Sequence, residues 1–327
     1  MIEIYRDQHY SVAIADEGYS TTLFNRDDFI HFQQQTFNCD LRIFCLVKLQ
    51  NNKVIAALDF AARAQSRDRW FTPVTGAFSD IFSISNLSSA ELELFIQQIT
   101  QHLISQEKAT ALLWKTPPLY FNSTINSKLH NTLYRLQWQI DAWELNFHLA
   151  IADHATFRGR LSDTKRKELN KLNRSGTEFS LVENEAQMRD VYEVIRLNRE
   201  AQGYPMTMSW EALFALKTQF ADDVFFAQLL RDDTLLAGAI LLKLNASTLY
   251  VFYWGEHPDS RNESPVVKLC EHLYLLAAET GVRYLDIGIS TADSQPNEGL
   301  MNFKTSLGCE TSQKLIFSYS ALAGHTK

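Results

Sequence analysis

The order of segments in the first half of the chain recurs in the second half. Three pairs of short stretches show the repeat: NNKVIAAL with DDTLLAGA, ATALLW with VRYLDI, and NTLYRLQWQ with NFKTSLGCE. The members of each pair lie about 170 to 180 residues apart, far beyond the period of a solenoid repeat. The repeat therefore predicts two similar domains, residues 1–150 and 151–327, instead of one large fold.

Each half alternates strand-like and helix-like patterns in the same order. In the second half the predicted elements are helices over 185–202 and 209–220, strands over 224–230, 235–244 and 247–254, a helix over 265–281, and strands over 284–287 and 313–319. Turns at Asn51-Asn52 and Asp232-Asp233 join neighbouring strands as hairpins. This order predicts an α/β (α+β) fold, with mixed and mostly antiparallel sheets flanked by helices.

The composition is that of an ordinary globular protein, with 46% hydrophobic and 21% charged residues among 327. No apolar run approaches the roughly eighteen residues of a membrane span. The first residues lack the basic and apolar regions of a signal peptide. Cys39, Cys45, Cys270 and Cys309 show no CxxC spacing, so we expect reduced thiols and neither a zinc cluster nor a disulfide framework. These features predict a cytoplasmic protein without metal, and they leave its oligomeric state open.

One segment is basic although the chain carries a net charge of −7. Residues 158–174 hold seven basic side chains and two acidic ones, a local charge of 7 − 2 = +5. Lys167, Lys171 and Arg174 fall at i, i+4 and i+7 and so share one face of a predicted helix. A solvated helix face is the ordinary interpretation of such a run. The alternative is that the three side chains bind a phosphate-bearing substrate.

The stretch over 284–309 gathers polar groups on a loop that follows a buried strand, where α/β folds usually carry their chemistry. Asp286 lies within the strand and must be paired if buried, so it either orients a substrate amine or braces the structure. Asn297 in the loop is a candidate substrate ligand. Lys304 on the next helix is the first choice for a catalytic residue, holding a phosphate or a developing oxyanion; the alternative is an ordinary surface lysine.

The order of elements and several short motifs resemble the GNAT acetyltransferase superfamily, and within it the tandem-domain Fem-like transferases. The motifs are KRKELNKLNRSG, YLDIG, the Gly299-x-x-x-Phe303-Lys304 run that continues to Leu307-Gly308, and PPLYF in the first half. The resemblance implies transfer of an acyl or aminoacyl group, without metal, from acyl-CoA or aminoacyl-tRNA to an amine. It also implies carbonyl polarisation by backbone N–H groups near residues 253–255. We expect the second domain to be the catalytic one and the first to be degenerate, because the first lacks a glycine-rich loop and its strand Ala111–Trp114 is apolar, without a counterpart of Asp286.

Further candidates come from the region before the predicted helix over 265–281. Tyr253 could act as an acid or base, as could Glu256 and His257, although Tyr253 is as readily a core aromatic. The glycine-rich loop with which typical GNAT enzymes hold coenzyme A is absent, as in Fem-like proteins. Ser264 as an N-cap, with Arg261 and Asn262 before it, predicts an alternative anion site at the helix start.

Two other classes of function stay open at this point. One is a non-catalytic protein that binds a small molecule with a duplicated GNAT fold, favoured by the missing glycine loop. The other is a structural interaction module. The sequence names neither the acyl donor nor the amine acceptor.

Overall fold

The computed structural model describes residues 1–17, 19–20, 22–84 and 86–321, and the chain divides into two compact units. Unit 1 comprises Met1–Leu145, Thr291–Gln295 and the stretch from Ser312 onward. Unit 2 comprises Asn146–Ser290 and Pro296–Thr311. The units therefore differ from the predicted ranges 1–150 and 151–327, because residues 146–150 lie in unit 2 whereas Thr291–Gln295 and the stretch from Ser312 lie in unit 1.

The first half of the chain alternates strands and helices up to residue 150. In chain order the elements are β1 (Ile2–Arg6), β2 (Tyr10–Ala15), α1 (Asp27–Phe37), β3 (Cys39–Lys48), β4 (Lys53–Arg63), β5 (Arg69–Thr72), β6 (Phe82–Ser83), α2 (Ser89–Ser105), β7 (Ala111–Lys115), α3 (Ser123–Arg135) and β8 (Gln139–Ala150). A short 3-10 turn, Leu23–Asn25, precedes α1.

The second half begins with helices. Its elements are α4 (His154–Arg160), α5 (Asp163–Leu172), β9 (Glu178–Val182), α6 (Glu185–Ala201), α7 (Trp210–Gln219), β10 (Val224–Arg231), β11 (Thr234–Asn245), β12 (Thr248–Glu256), α8 (Pro265–Glu279), β13 (Tyr284–Ile289), β14 (Thr291–Ala292), β15 (Gln295–Pro296), α9 (Glu298–Ser306) and β16 (Glu310–Ser320). A second 3-10 turn, Pro258–Glu263, lies between β12 and α8.

Unit 1 is built on the strand order β1-β2-β3-β4-β5-β7-β16, in which only β5 and β7 pair in parallel. Helix α2 begins with a capping box, because the Ser88 hydroxyl accepts from the Glu91 N–H and the Glu91 carboxylate accepts from the Ser88 N–H. Its apolar stripe packs into the main core of unit 1.

Unit 2 is built on the strand order β9-β10-β11-β12-β13, in which only β12 and β13 pair in parallel. Helices α6 and α8 cover opposite faces of this sheet. Gly238 of β11 faces α6, since a Cβ there would lie 2.8 Å from Val191. Ala237 and Ala239 pack in the core cluster that contains the buried face of α8. Successive strand residues point to opposite faces, so the two helices sandwich β11.

Helix α5 begins with a side-chain cap, whereas the cap predicted at Ser264 for α8 is not formed with the described residues. The N-cap of α5 is Ser162, whose hydroxyl accepts from the Lys165 N–H, and Asp163 is the first helical residue. Ser264 precedes α8 in the left-handed conformation (φ 54°), and its side chain makes no cap hydrogen bond to any described residue. The 3-10 turn before α8 sets that conformation, and a serine-proline pair alone does not reveal it.

Candidate active site

Strands β12 and β13 separate partway along their length. They pair only from Thr248–Tyr284 to Tyr250–Asp286, whereas β12 continues beside β11 as far as Glu256. The register of β12 also shifts at Phe252, where one extra residue forms a bulge. The segment over 253–255, predicted to polarise a carbonyl, therefore lies on a strand edge that has parted from β13.

Glu256 ends β12 at the start of α8. Its Oε2 lies 3.5 Å from the Val266 N–H, and burial raises the pKa of its carboxyl group, opposed by that N–H and by Arg261 and Lys165. Its backbone carbonyl accepts from the Asn198 amide of α6 at 3.1 Å. These contacts place a half-buried carboxylate at the open end of the strand.

Gly255 makes the close approach of α6 possible. A Cβ at this position would lie 2.9 Å from the Cβ of Asn198. The glycine thus brings the last turns of α6 onto the separated end of β12.

Tyr253 is buried, and its hydroxyl shares a hydrogen bond with the Thr207 hydroxyl from the loop between α6 and α7. Burial raises the pKa of Tyr253. The Arg199 guanidinium lies 5.3 Å from the centre of the Tyr253 ring and donates to the Pro205 carbonyl at 3.3 Å. Its Nε is buried without a hydrogen-bond partner among the described residues. The sequence carries no signal for Thr207, and for Arg199 it shows only a basic residue in the last turn of a predicted helix.

Asn297, just before α9 in unit 2, contacts Tyr204, which lies with Thr207 in the loop between α6 and α7. Its Oδ1 accepts from the Leu300 N–H at 3.0 Å and caps α9, and its Nδ2 donates to the Tyr204 hydroxyl at 2.9 Å. Asn297 therefore anchors the loop to α9. Direct substrate contact by Asn297 stays a prediction.

Asp286 is buried and braces the end of β13. Its Oδ1 accepts from the Asn146 amide at 3.0 Å and from the Gly288 N–H at 2.7 Å. Gly288 has a φ of +74°, so the strand turns at this residue. This geometry matches the bracing alternative for Asp286 and gives no support to a direct catalytic role.

Lys304 is buried, and its ammonium group donates to the carbonyls of Ile287, Gly288 and Ile289 at 2.8 to 2.9 Å. Burial lowers the pKa of Lys304 to about 8. All three N–H donors are engaged, so none is left for a phosphate or an oxyanion. The expectation that Lys304 faces the loop as a free catalytic cation, or that it is a surface lysine, is wrong on this geometry. It positions the end of β13.

Helix α5 carries two kinds of basic side chain. Lys167, Lys171 and Arg174 are exposed and form no ion pair within the described residues. Lys165 instead pairs with Glu168 at 2.7 Å and lies 5.3 Å from the centre of the Phe303 ring. Lys167 and Lys171 lie four residues apart on α5, but the helix ends at Leu172, so Arg174 lies beyond it and the predicted face of three cations on one helix is not formed. Lys165 connects α5 to α9.

The backbone N–H groups at the start of α8 are poorly placed to bind an anion. Pro265 has no N–H, the Val266 N–H faces Glu256, and the N–H groups of Ser264 and Val267 donate to the Arg261 and Ser264 carbonyls at 3.1 and 3.0 Å. The expected free N–H groups are therefore absent from this part of the described chain. Arg261 and Asn262 are exposed, and their role in binding a cofactor stays a prediction.

Three comparisons with known proteins bear on this arrangement. Residues 159–304 match the family described as "Acetyltransferase (GNAT) domain". No curated protein matches the chain. Among solved structures, FemX is similar over 98% of this chain and 97% of its own, with a TM-score of 0.70 and 12% identity.

Two further solved structures share the fold. A tandem GNAT protein from the clavulanic acid biosynthesis pathway has a TM-score of 0.51 at 11% identity, over 95% of this chain and 92% of its own. L-PGS from Bacillus licheniformis has a TM-score of 0.53 at 10% identity, over 88% and 90%. The chain therefore has a tandem GNAT fold, and both the predicted fold class and the resemblance to Fem-like proteins are confirmed at the level of the fold.

Two kinds of feature are missing from the described residues. No helix in this part of the chain is long and apolar enough to cross a membrane. No group of three or more His, Cys, Asp or Glu side chains could hold a metal ion there.

Proposed function

We propose that the chain transfers an acyl or aminoacyl group from an activated donor to an amine, at the separated end of β12 in unit 2. The observation that carries the proposal is the separation of β12 from β13 after Tyr250, together with the bulge at Phe252. Backbone N–H groups held on such an edge can polarise a carbonyl oxygen without moving during the reaction. The GNAT domain match over residues 159–304 supports the same reaction class.

Glu256 is the proposed general base. The neutral amine attacks the donor carbonyl carbon, the new N–C bond forms, and the bond to the leaving group breaks. The amine proton passes to the Glu256 carboxylate, whose burial-raised pKa makes it a better base than an exposed glutamate. The proton then returns to the leaving thiolate or alkoxide. Tyr253 is the alternative proton donor to the leaving group once its hydroxyl parts from Thr207.

Arg199 is proposed to select the acceptor. The Arg199 side chain is half-buried. It donates one hydrogen bond to the Pro205 carbonyl, and its Nε has no hydrogen-bond partner among the described residues. A carboxylate or phosphate on the acceptor could accept a bidentate pair of hydrogen bonds from such a guanidinium group. We therefore propose an amine that also carries an anionic group.

For the donor, the geometry favours aminoacyl-tRNA over acyl-CoA. Coenzyme A would need free N–H groups for its pyrophosphate at the start of α8, where Glu256 and internal bonds occupy them. A polynucleotide could instead meet the exposed cations Lys167, Lys171 and Arg174. Acyl-CoA remains the donor that a GNAT domain generally implies. We also propose a cytoplasmic location, where either donor is available.

Calorimetric titration tests the donor. The chain is titrated with acetyl-CoA, a long-chain acyl-CoA, aminoacyl-tRNA and uncharged tRNA. Binding of aminoacyl-tRNA supports the proposal as written; binding of acyl-CoA alone moves the donor to that class. If none of the four binds, the transferase proposal is abandoned.

Single-turnover transfer with the bound donor then tests Glu256. We expect Glu256→Gln to slow transfer about 10²- to 10⁴-fold while donor affinity is retained. Glu263→Gln is the matched control, because Glu263 is also acidic and precedes α8 but pairs with Arg231 at 2.6 and 3.0 Å. An equal rate in both variants would show that Glu256 is not the base.

A second candidate is a non-catalytic binding protein. Three of the groups predicted to be catalytic, Lys304, Asp286 and Tyr253, are engaged in internal hydrogen bonds. This candidate predicts donor or acceptor binding with no turnover in the single-turnover assay. Product formation at any rate above the uncatalysed one excludes it.

A further inference from the structure

A small buried cavity lies in unit 1, apart from the groups of the proposed transfer reaction. Its volume is about 10 Å³, which is close to what one water molecule requires. The walls are apolar at Ile30 and Ile43, and polar at Tyr19, Asn25 and Asp59. Tyr19 is half-buried, so the cavity lies close to the surface.

Asp59 supplies the charge of this cavity. It lies on β4 opposite Ile43 of β3, and the residue is only 3% exposed. Its Oδ1 accepts from the Asn25 amide at 2.7 Å. Its Oδ2 is buried with no hydrogen-bond partner in the described chain. Half of the carboxylate is thus unsatisfied.

Asn25 cannot satisfy the second oxygen as well. Its Nδ2 donates to Ser79 at 2.8 Å in addition to Asp59, and its Oδ1 accepts from the Asp80 N–H at 3.0 Å and the Thr22 hydroxyl at 3.1 Å. Both donors and both acceptor positions of the amide are therefore used. The network holds Asp59 in place and leaves Oδ2 without a donor from the residues that the structure describes.

The charge balance around Asp59 is negative. No basic side chain pairs with Asp59 among the described residues. Burial raises the pKa of Asp59 to about 6, so the carboxyl group is mostly ionised at neutral pH. A buried carboxylate without a counter-charge is costly, and a bound cation removes that cost.

We propose that this cavity binds a small monovalent cation at Asp59, either a free ion such as ammonium or potassium or the ammonium head of a small primary amine. One carboxylate oxygen without a donor, in a cavity that Tyr19 also lines, suits a single positive charge. A divalent ion is usually held by several carboxylates or keeps several bound waters. The described residues contain no group of three or more His, Cys, Asp or Glu side chains that could hold one, and a cavity of about 10 Å³ has no room for several waters. The proposal does not depend on the transferase function.

Urea unfolding of the full chain tests the proposal. The midpoint is measured at constant ionic strength in the chlorides of potassium, ammonium, methylammonium and tetramethylammonium, the last being too large for the cavity. We expect the midpoint to rise with the small cations, to saturate, and to stay flat with tetramethylammonium, because only the folded chain has the site. If methylammonium raises the midpoint as much as ammonium does, the ligand is the ammonium head of an amine. If only potassium and ammonium raise the midpoint, the ligand is a free ion.

Two variants and one independent measurement complete the test. Asp59→Asn should abolish the cation dependence, whereas Glu144→Gln should keep it, because the buried Glu144 carboxylate is bonded to Thr291 and Ser294. Crystals of the unaltered chain soaked in thallium(I) should show an anomalous peak beside Asp59 Oδ2. A flat midpoint in all four salts and no peak would mean that the cavity holds only water, and the proposal would fall.

Discussion

The ammonium nitrogen of Lys304 lies 2.9 Å from the carbonyl oxygen of Gly288, the residue at which β13 turns through a φ of +74°. The same nitrogen bonds the carbonyls on either side, those of Ile287 and Ile289. These carbonyls lie where β13 has left β12. Lys304 therefore replaces the strand partner that the separation removes, and it stabilises the open end of the sheet.

Replacement of this ammonium group should destabilise the fold. We expect Lys304→Met to lower the free energy of unfolding by about 2 to 4 kcal/mol, because the buried carbonyls lose charge-assisted hydrogen bonds, partly offset by the desolvation of the lysine. Urea unfolding measures the change. Lys167→Met is the control, since that lysine is exposed and forms no ion pair in the described chain, and it should change stability by less than about 0.5 kcal/mol. Equal stabilities of the two variants would contradict the positioning role.

Gly308 should tolerate no side chain. It has a φ of +79°, and a Cβ there would lie 2.4 Å from the Arg160 Cβ and 2.9 Å from the Arg160 carbonyl oxygen. Gly308→Ala therefore combines a conformational cost with a clash against backbone, and we expect a loss of about 3 kcal/mol or more.

Gly176→Ala is the matched control for Gly308→Ala. Gly176 has a φ of +65°, but a Cβ there would meet no heavy atom of the described chain within 4 Å. Only the conformational cost of about 1 to 2 kcal/mol therefore applies. Urea unfolding of both variants separates the two contributions. A loss as small for Gly308→Ala as for Gly176→Ala would mean that α4 moves aside at no cost.

The pH dependence of stability should carry the signature of Asp59. Burial raises the pKa of Asp59 from its ordinary value of 3.8 to about 6 in the folded chain, so between these values the folded chain holds a proton that an unfolded chain with the ordinary value has lost. Stability should therefore fall as pH rises from about 4 to about 6 and then level off. The total is about 3 kcal/mol, at about 1.4 kcal/mol per pKa unit.

Asp59→Asn should remove this component of the pH dependence. The measurement is the difference in unfolding free energy between the two chains at pH 4, 5, 6 and 8, made in tetramethylammonium buffer so that no small cation compensates the charge. Contributions of the other titrating groups cancel in that difference. A difference independent of pH would show that Asp59 titrates normally.

The repeat and the hydrophobic periodicity sufficed to predict much of the fold. The helix over 185–202 and the hairpin turn at Asp232-Asp233 were predictable because both depend on local spacing and on the residues that cap a helix or form a turn. The assignment of residues 312–321 to unit 1 was not predictable from the sequence, because pairing with a particular strand depends on the rest of the sheet and not on local residues.

The candidate site was less predictable. Lys304 was predicted to be a catalytic or a surface lysine, because its carbonyl partners exist only where β13 turns at Gly288 and exposes three carbonyls to one side chain. Arg199 gave almost no signal, since its place over Tyr253 depends on the approach of α6 that Gly255 permits. The environments of Lys304 and Arg199 both depend on contacts between segments that are distant in sequence, and local sequence patterns do not predict such contacts.

The exposed cations Lys167 and Lys171 of α5, and Arg174 just after it, provide the sharpest test of the proposed donor. We expect the triple variant Lys167→Gln, Lys171→Gln, Arg174→Gln to weaken tRNA binding and to reduce the slope of log affinity against log salt by about 2 to 3, because each phosphate contact contributes about 0.7 to 0.9. Acyl-CoA binding should change much less, since that ligand carries few phosphates.

The measurement is fluorescence anisotropy of labelled tRNA between low and high salt. Lys53→Gln is the control for the loss of a positive charge, because Lys53 is exposed but lies in unit 1. The triple variant makes no change to buried groups, so its unfolding midpoint should match that of the unaltered chain. An unaltered salt slope in the triple variant would remove the reason for preferring a polynucleotide-borne donor, and acyl-CoA would then be the donor to pursue.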